Sequence, residues 1–337
     1  MIFNIYQIII LIIYFLIFFL FKKNQIWGNS FPFFSFHKEY TTTMRGIAIL
    51  FVVLHHVGNS SGSVIFTPLG GIGVAMFLIL SGYGLNESKK AGSNKNYWKN
   101  KIVRVIIPML LVELISIVIN KSDRLSYSEI FKHLLCIDRN WYVRYLFYWY
   151  FLFYILTKIF KKGYEYVLLC AGLIMLFLLP EIEAEQSLSF VTGVFLSIYK
   201  DKIKLSQRQV IITSGALLFV GGLFLIIKQI PEIRFYAGTT IYSTLQLFLK
   251  LTIANSVLFS CTILFRSKSP YFLYFTGLMS YEIYLVHCKL LGITSSSQTI
   301  LSLLSFYVLT YIFSYVLYRV NQRITSILLK KKISEKK

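Results

Sequence analysis

Arg45 and His56 stand eleven residues apart in the apolar run RGIAILFVVLHHV. At 3.6 residues per turn this is close to a whole number of turns, so both side chains project from one helical face, about 16 Å apart along the axis. That distance is about half the hydrocarbon thickness of a bilayer. Ionisable groups at such depth are retained beside a partner or for a role, so the stripe describes a site rather than a lipid-facing wall. An imidazole titrates near neutrality, so His56 is a candidate general base. His55, rotated by about 100°, is the second candidate base.

Other chemistry-bearing residues surround this pair in the sequence. In KNYWKNKIVRVIIP, Lys101 and Arg104 lie three residues apart at a membrane boundary. They can hold a phosphorylated donor or anchor the chain at the membrane edge, and charge alone does not choose between the two. Four charges, Glu113, Arg144, Lys250 and Glu282, fall inside apolar segments and sum to zero. They describe either structural ion pairs or a polar cavity through a bundle, and the clustering of histidines and glycines with them favours the cavity. RNWYVRYLFYWYFLFY is an aromatic interfacial belt in which Trp141 and Tyr142 can also stack on a sugar. In SYEIYLVH, Glu282 and His287 diverge by about 140° on a helix, so each needs a partner on another element. The stretch GGIGVAMFLILSGYGL reads first as a close helix interface and second as an interrupted helix with free amides. Cys136, Cys170, Cys261 and Cys288 are scattered without CxxC or zinc spacing, which predicts packing residues and no metal. GxSxG is absent, so the sequence marks no serine nucleophile of that kind.

Membrane helices are expected to carry these residues. The chain has 337 residues, 56% hydrophobic and 15% charged, more apolar surface than a soluble domain can bury. Apolar runs near 2–21, 44–57, 69–86, 105–120, 141–160, 164–180, 187–199, 208–228, 241–265, 271–289 and 298–318 predict an all-α polytopic bundle of about ten to eleven transmembrane helices. Alternate loops then carry 26 of the bases and five acids on one side, against seven bases and seven acids on the other. The whole net charge of +21 falls on the side read as cytoplasmic, so it reports topology and excludes a nucleic-acid footprint. Residues 2–21 precede Lys22 and Lys23 and show no cleavage pattern, which predicts a retained anchor in the cytoplasmic (inner) membrane with the N-terminus outside and the C-terminus inside. The tail LLKKKISEKK is expected to contact anionic lipid.

Taken in order, RGIAILFVVLHH, GGIGVAMFLILSGYGL, KNKIVRVIIP, NWYVRYLFYWY and SYEIYLVH resemble the acyltransferase-3 family of integral membrane acyltransferases. The resemblance covers a family domain at 40–320, to which the anchor at 1–23 is an addition and which a basic cytoplasmic tail at 321–337 follows. It also implies transfer of an acyl group, usually acetyl, from cytosolic acetyl-CoA or another acyl-CoA to a hydroxyl of a surface or lipid-linked polysaccharide. No cofactor is expected to stay bound. On this reading His56, Arg45 and Glu282 are catalytic, Lys101 and Arg104 bind the donor, and Trp141, Tyr142 and His287 bind the acceptor. The family's basic RxxR pair maps to Lys101 and Arg104, with lysine replacing the first arginine, and Asn140 stands where the family often has histidine. A transporter or flippase of glycan or lipid intermediates is the competing class, but such proteins usually show repeated halves and none is evident in this sequence.

Overall fold

The computed structural model describes residues 12, 22–23, 36–92, 96–119, 141–265, 269–296 and 299–329. Apart from Ile12 and Lys22–Lys23, the expected anchor at 1–23 lies outside these residues. So do the loop around 120–140 with Asn140, and the tail from Lys330 onward.

Helix α1, Lys38–Ser60, is the hub of the fold. Its start is fixed by His37, whose Nδ1 accepts from the Tyr40 amide at 3.0 Å, and Glu39 places negative charge at the positive end of the helix dipole. The hydroxyls of Thr42 and Thr43 fold back onto the carbonyls of Lys38 and Glu39, satisfying polar groups inside an apolar bundle. The run expected at 44–57 is thus lengthened at both ends, to 23 residues.

Helix α2, Thr67–Lys90, runs unbroken through the glycine-rich stretch, which makes close interfaces. A Cβ at Gly82 would overlap the carbonyl oxygen of Phe190, and one at Gly193 would overlap that of Ile79. These two glycines therefore let α2 meet α7, Ser189–Tyr199, at backbone contact.

Helix α3 spans Tyr97–Ile119 and begins earlier than the segment expected at 105–120. The Tyr97 hydroxyl donates to the Tyr150 carbonyl at 2.8 Å, which ties this first turn to the bundle and brings Lys101 and Arg104 into the helix. Ile102–Ile106 form a widened π turn just before Pro108. Proline has no amide proton to return to the preceding turn, and a π turn is one way of absorbing that loss.

The remaining helices are α4 (Trp141–Ile159), α5 (Tyr164–Leu178), α6 (Glu181–Ala184), α8 (Gln207–Ile227), α9 (Pro231–Arg234) and α10 (Thr240–Leu264). They are followed by α11 (Tyr271–Leu278), α12 (Ser280–Leu290), α13 (Gly292–Ser296) and α14 (Ile300–Leu328). The single helix expected at 271–289 is broken at Met279, two residues after Gly277 packs against the Thr42 carbonyl of α1. Lys22–Lys23 pair antiparallel with Ser269–Pro270, the only strand pairing among the described residues.

Among the described residues six helices are long and apolar enough to cross a membrane: α1, residues 64–90, α3, α8, α10 and α14. The other expected spans are helical but shorter or less apolar, or fall outside the described residues. Trp149 stacked on Phe190 at 5.2 Å, with Tyr145, Phe153, Met44 and Met76, fills the centre. Outward rows such as Ile211, Ile212, Leu218 and Phe219 on α8 remain exposed and need lipid to cover them.

Candidate active site

The site forms where the end of α1 meets α12. The rings of His56 and His287 lie 5.1 Å apart, and those of His55 and His56 lie 4.8 Å apart. His287 is wholly buried, and its Nδ1 lies 2.9 Å from the Ile283 carbonyl oxygen. A carbonyl only accepts, so Nδ1 carries the proton and Nε2 keeps its lone pair. Nε2 faces the thiol of Cys288 at 3.2 Å. His55 points elsewhere: its ring packs against Gly70, and its Nε2 lies 3.4 Å from the Asn59 side-chain nitrogen. The two adjacent histidines are thus unequal, with His56 the one that faces the second element.

A second cluster gathers cations. Lys101 lies within electrostatic reach of Arg45 and Arg104, and Arg45 acts in the same way on the hydroxyls of Tyr142 and Tyr150. The Lys101 ammonium sits 4.0 Å from the Tyr150 ring centre and 5.5 Å from that of Tyr97, two cation–π contacts that hold it inward. Arg104 is exposed. Among the described residues no carboxylate forms an ion pair with Arg45, Lys101 or Arg104.

A file of rings joins the two clusters. Tyr142 meets Tyr284 at 5.2 Å, Tyr284 meets His287 at 6.0 Å, and His287 meets His56. Arg45, Lys101, Tyr142, His287 and His56 therefore belong to one continuous strip. Trp141 stands beside it, half-buried and 6.2 Å from the Tyr142 ring.

Glu282 is placed differently. Its carboxylate accepts from the Asn321 side-chain amide of α14 at 3.1 Å, while the rings that meet His56 are those of His55 and His287. The other three intramembrane charges are also satisfied one by one. Glu113 pairs with Lys289 at 2.9 Å, Arg144 with Glu183 at 2.6 Å, and Lys250 with Glu185. Among the described residues, none of the four forms an ion pair with another of the four. Next to the Lys250–Glu185 pair, Lys228 donates to Gln246 at 3.1 Å, and burial together with the neighbouring Lys250 ammonium lowers its pKa below the ordinary lysine value. Burial raises the Glu185 carboxyl above its ordinary value, against the pull of Lys250.

Sequence reasoning missed Tyr284, Tyr150 and Cys288. Tyr284 was within reach, because it lies one helical turn before His287 and shares its face. Tyr150 and Cys288 carried no signal, since an aromatic belt and a lone cysteine are ordinary features of apolar segments.

An all-helical bundle of apolar helices, in which a half-buried His56 meets a buried His287 and aromatic rings lead on to a group of cations, defines a multi-pass membrane protein. Residues 38–319 match the acyltransferase-3 family, described as an acyltransferase domain. The chain belongs to that family and is an acyltransferase. The match opens on the first residue of α1 and closes within α14, so it takes in both clusters and the rings between them. No curated protein and no solved structure matches the chain.

Proposed function

We propose that this protein is an O-acyltransferase of the cytoplasmic membrane, moving an acyl group, in the simplest case acetyl, from cytosolic acyl-CoA to a hydroxyl of a surface or lipid-linked polysaccharide. The observation that carries the reading is the strip itself. Arg45, Lys101 and Arg104, which form no ion pair with a carboxylate among the described residues, suit a phosphorylated donor, and His56 lies about 16 Å along the helix axis from Arg45. The pantetheine arm of CoA separates its phosphates from its thioester by a length of the same order. A donor held by its phosphates at the cations thus presents its thioester carbonyl to the histidines.

His56 takes the proton of the acceptor hydroxyl as the oxygen attacks that carbonyl. The carbon–sulfur bond breaks, and the thiolate of CoA leaves with the proton that His56 returns. His287, its Nδ1 tied to Ile283, offers Nε2 as a fixed acceptor beside His56 and keeps that ring in place. Tyr142 and the neighbouring Trp141 supply faces on which a sugar can stack.

The test is transfer by the purified protein in liposomes, supplied with acetyl-CoA labelled in its acetyl group and with surface glycan. Label should appear in the glycan, with one thiol of CoA released per acetyl transferred. Release of CoA without labelled glycan would point to a different acceptor, and retention of intact donor would sink the donor assignment.

A further inference from the structure

His56, His287 and Cys288 each offer one donor atom, and these atoms lie within 4.8 Å of one another. We propose that they form a binding site for a thiophilic divalent cation, Zn2+ above all. The sequence hides this site, because His56 is on α1 and the other two are adjacent on α12 with no metal-ligand spacing. The geometry comes close to what zinc needs. Zn–N bonds of about 2.0–2.1 Å and Zn–S bonds of about 2.3 Å place tetrahedral donors roughly 3.3–3.6 Å apart. His287 Nε2 and Cys288 Sγ are already 3.2 Å apart, so small rotations of His56 and Cys288 complete the triangle.

Two further features fit a metal. His287 donates Nδ1–H to the Ile283 carbonyl, the outer contact that ordinarily orients a ligating imidazole and leaves its Nε2 lone pair free. Cys288 is exposed, which gives the cation a way in, and binding would expel the thiol proton. Three protein ligands with a fourth position open to water is a coordination zinc accepts.

The functional consequence rests on His56 being the base. Its lone pair can take a metal or a substrate proton but not both, so an occupied site holds the enzyme off. Zinc is then a reversible inhibitor that competes with proton transfer.

The experiment uses the full-length protein carrying no polyhistidine tag, titrated with Co2+ and Zn2+ alone. The expected result is one metal per chain and a thiolate-to-cobalt charge-transfer band. Cys288→Ala should abolish the band and weaken Zn2+ binding roughly tenfold or more, since losing a ligand should exceed the ten- to hundredfold loss typical of an outer-shell contact. His287→Gln should weaken binding comparably. Absence of a bound metal, or binding unchanged by Cys288→Ala, overturns the site. Acyl transfer measured on the same samples separates the two readings. A metal that binds through Cys288 without slowing turnover supports the site and removes His56 as the base.

Discussion

His56 and His55 occupy neighbouring positions on α1, yet only His56 faces His287, while His55 is held between Gly70 and Asn59. His56→Ala should therefore lose transfer by about two to four orders of magnitude, the usual contribution of a positioned acid–base group, with the protein still inserted and folded. His55→Ala should keep most of its activity. Initial rates at saturating donor, on protein matched for folding by size-exclusion profile, decide between them, and equal losses would end the distinction. At the other end of the strip, Lys101→Ala should raise the donor KM about tenfold or more, the loss of one charge-assisted contact of roughly 1.5–3 kcal/mol. The acceptor KM should barely move, and Lys101→Arg should be tolerated. Arg104 is exposed, so its alanine variant should show a smaller and more salt-sensitive effect. An unchanged donor KM in both alanine variants would return the two residues to a membrane-edge anchor. At this scale the sequence displayed the stripe on α1 but not its partners. Helical spacing fixes which residues share a face within one segment, whereas the pairing of Glu282 with Asn321 or of Lys250 with Glu185 depends on how segments pack.

Helix contacts divide the glycines into two kinds. Gly82 and Gly193 stand where α2 and α7 touch backbone to backbone, whereas Gly84 and Gly222 have open space beside them. Gly82→Ala or Gly193→Ala must push the helices apart or distort them, at about 1–3 kcal/mol for an overpacked interface. Gly84→Ala and Gly222→Ala meet nothing and should be neutral or stabilising by up to about 1 kcal/mol through helix propensity. Melting in detergent followed by intrinsic tryptophan fluorescence should place the first pair below the parent protein and the second pair at or above it. A uniform response across all four would show that the α2–α7 contact is not tight. Apolar runs made most helices legible, because length and hydropathy are local quantities. The break at Met279 and the early start of α3 at Tyr97 were not legible. The first has no proline and follows a tertiary contact at Gly277, and the second depends on a hydroxyl reaching the Tyr150 carbonyl across to α4.

Across the whole molecule, contacts sort the charged ends of the helices into two layers. In one layer Glu87 of α2 pairs with Lys90 at 3.2 Å and with Lys200 beyond α7 at 2.5 Å, and Lys89 lies 3.5 Å over the Tyr164 ring at the start of α5. Lys22–Lys23 reach Ser269–Pro270 by backbone pairing. In each of these contacts both partners come from segments that loop charge assigns to the basic, cytoplasmic side. In the other layer Lys289, Glu183 and Glu185, all from segments assigned outside, close onto Glu113, Arg144 and Lys250. A wrong count of crossings between these segments would join residues from opposite sides of the bilayer, and the contacts do not do so. The expected orientation is therefore Ala91 and Ser334 inside and Val64 outside. In a cysteine-free background, Val64→Cys should react with an impermeant maleimide in intact cells, since Val64 is 73% exposed beyond the end of α1. Ala91→Cys and Ser334→Cys should react only after permeabilisation. Labelling of position 334 from outside would demand an even number of crossings between Val64 and the tail, and with it a different course for one of the short helices. Labelling of position 91 from outside would overturn more, because it would move Lys101 and Arg104 away from the cytosolic donor they are proposed to hold.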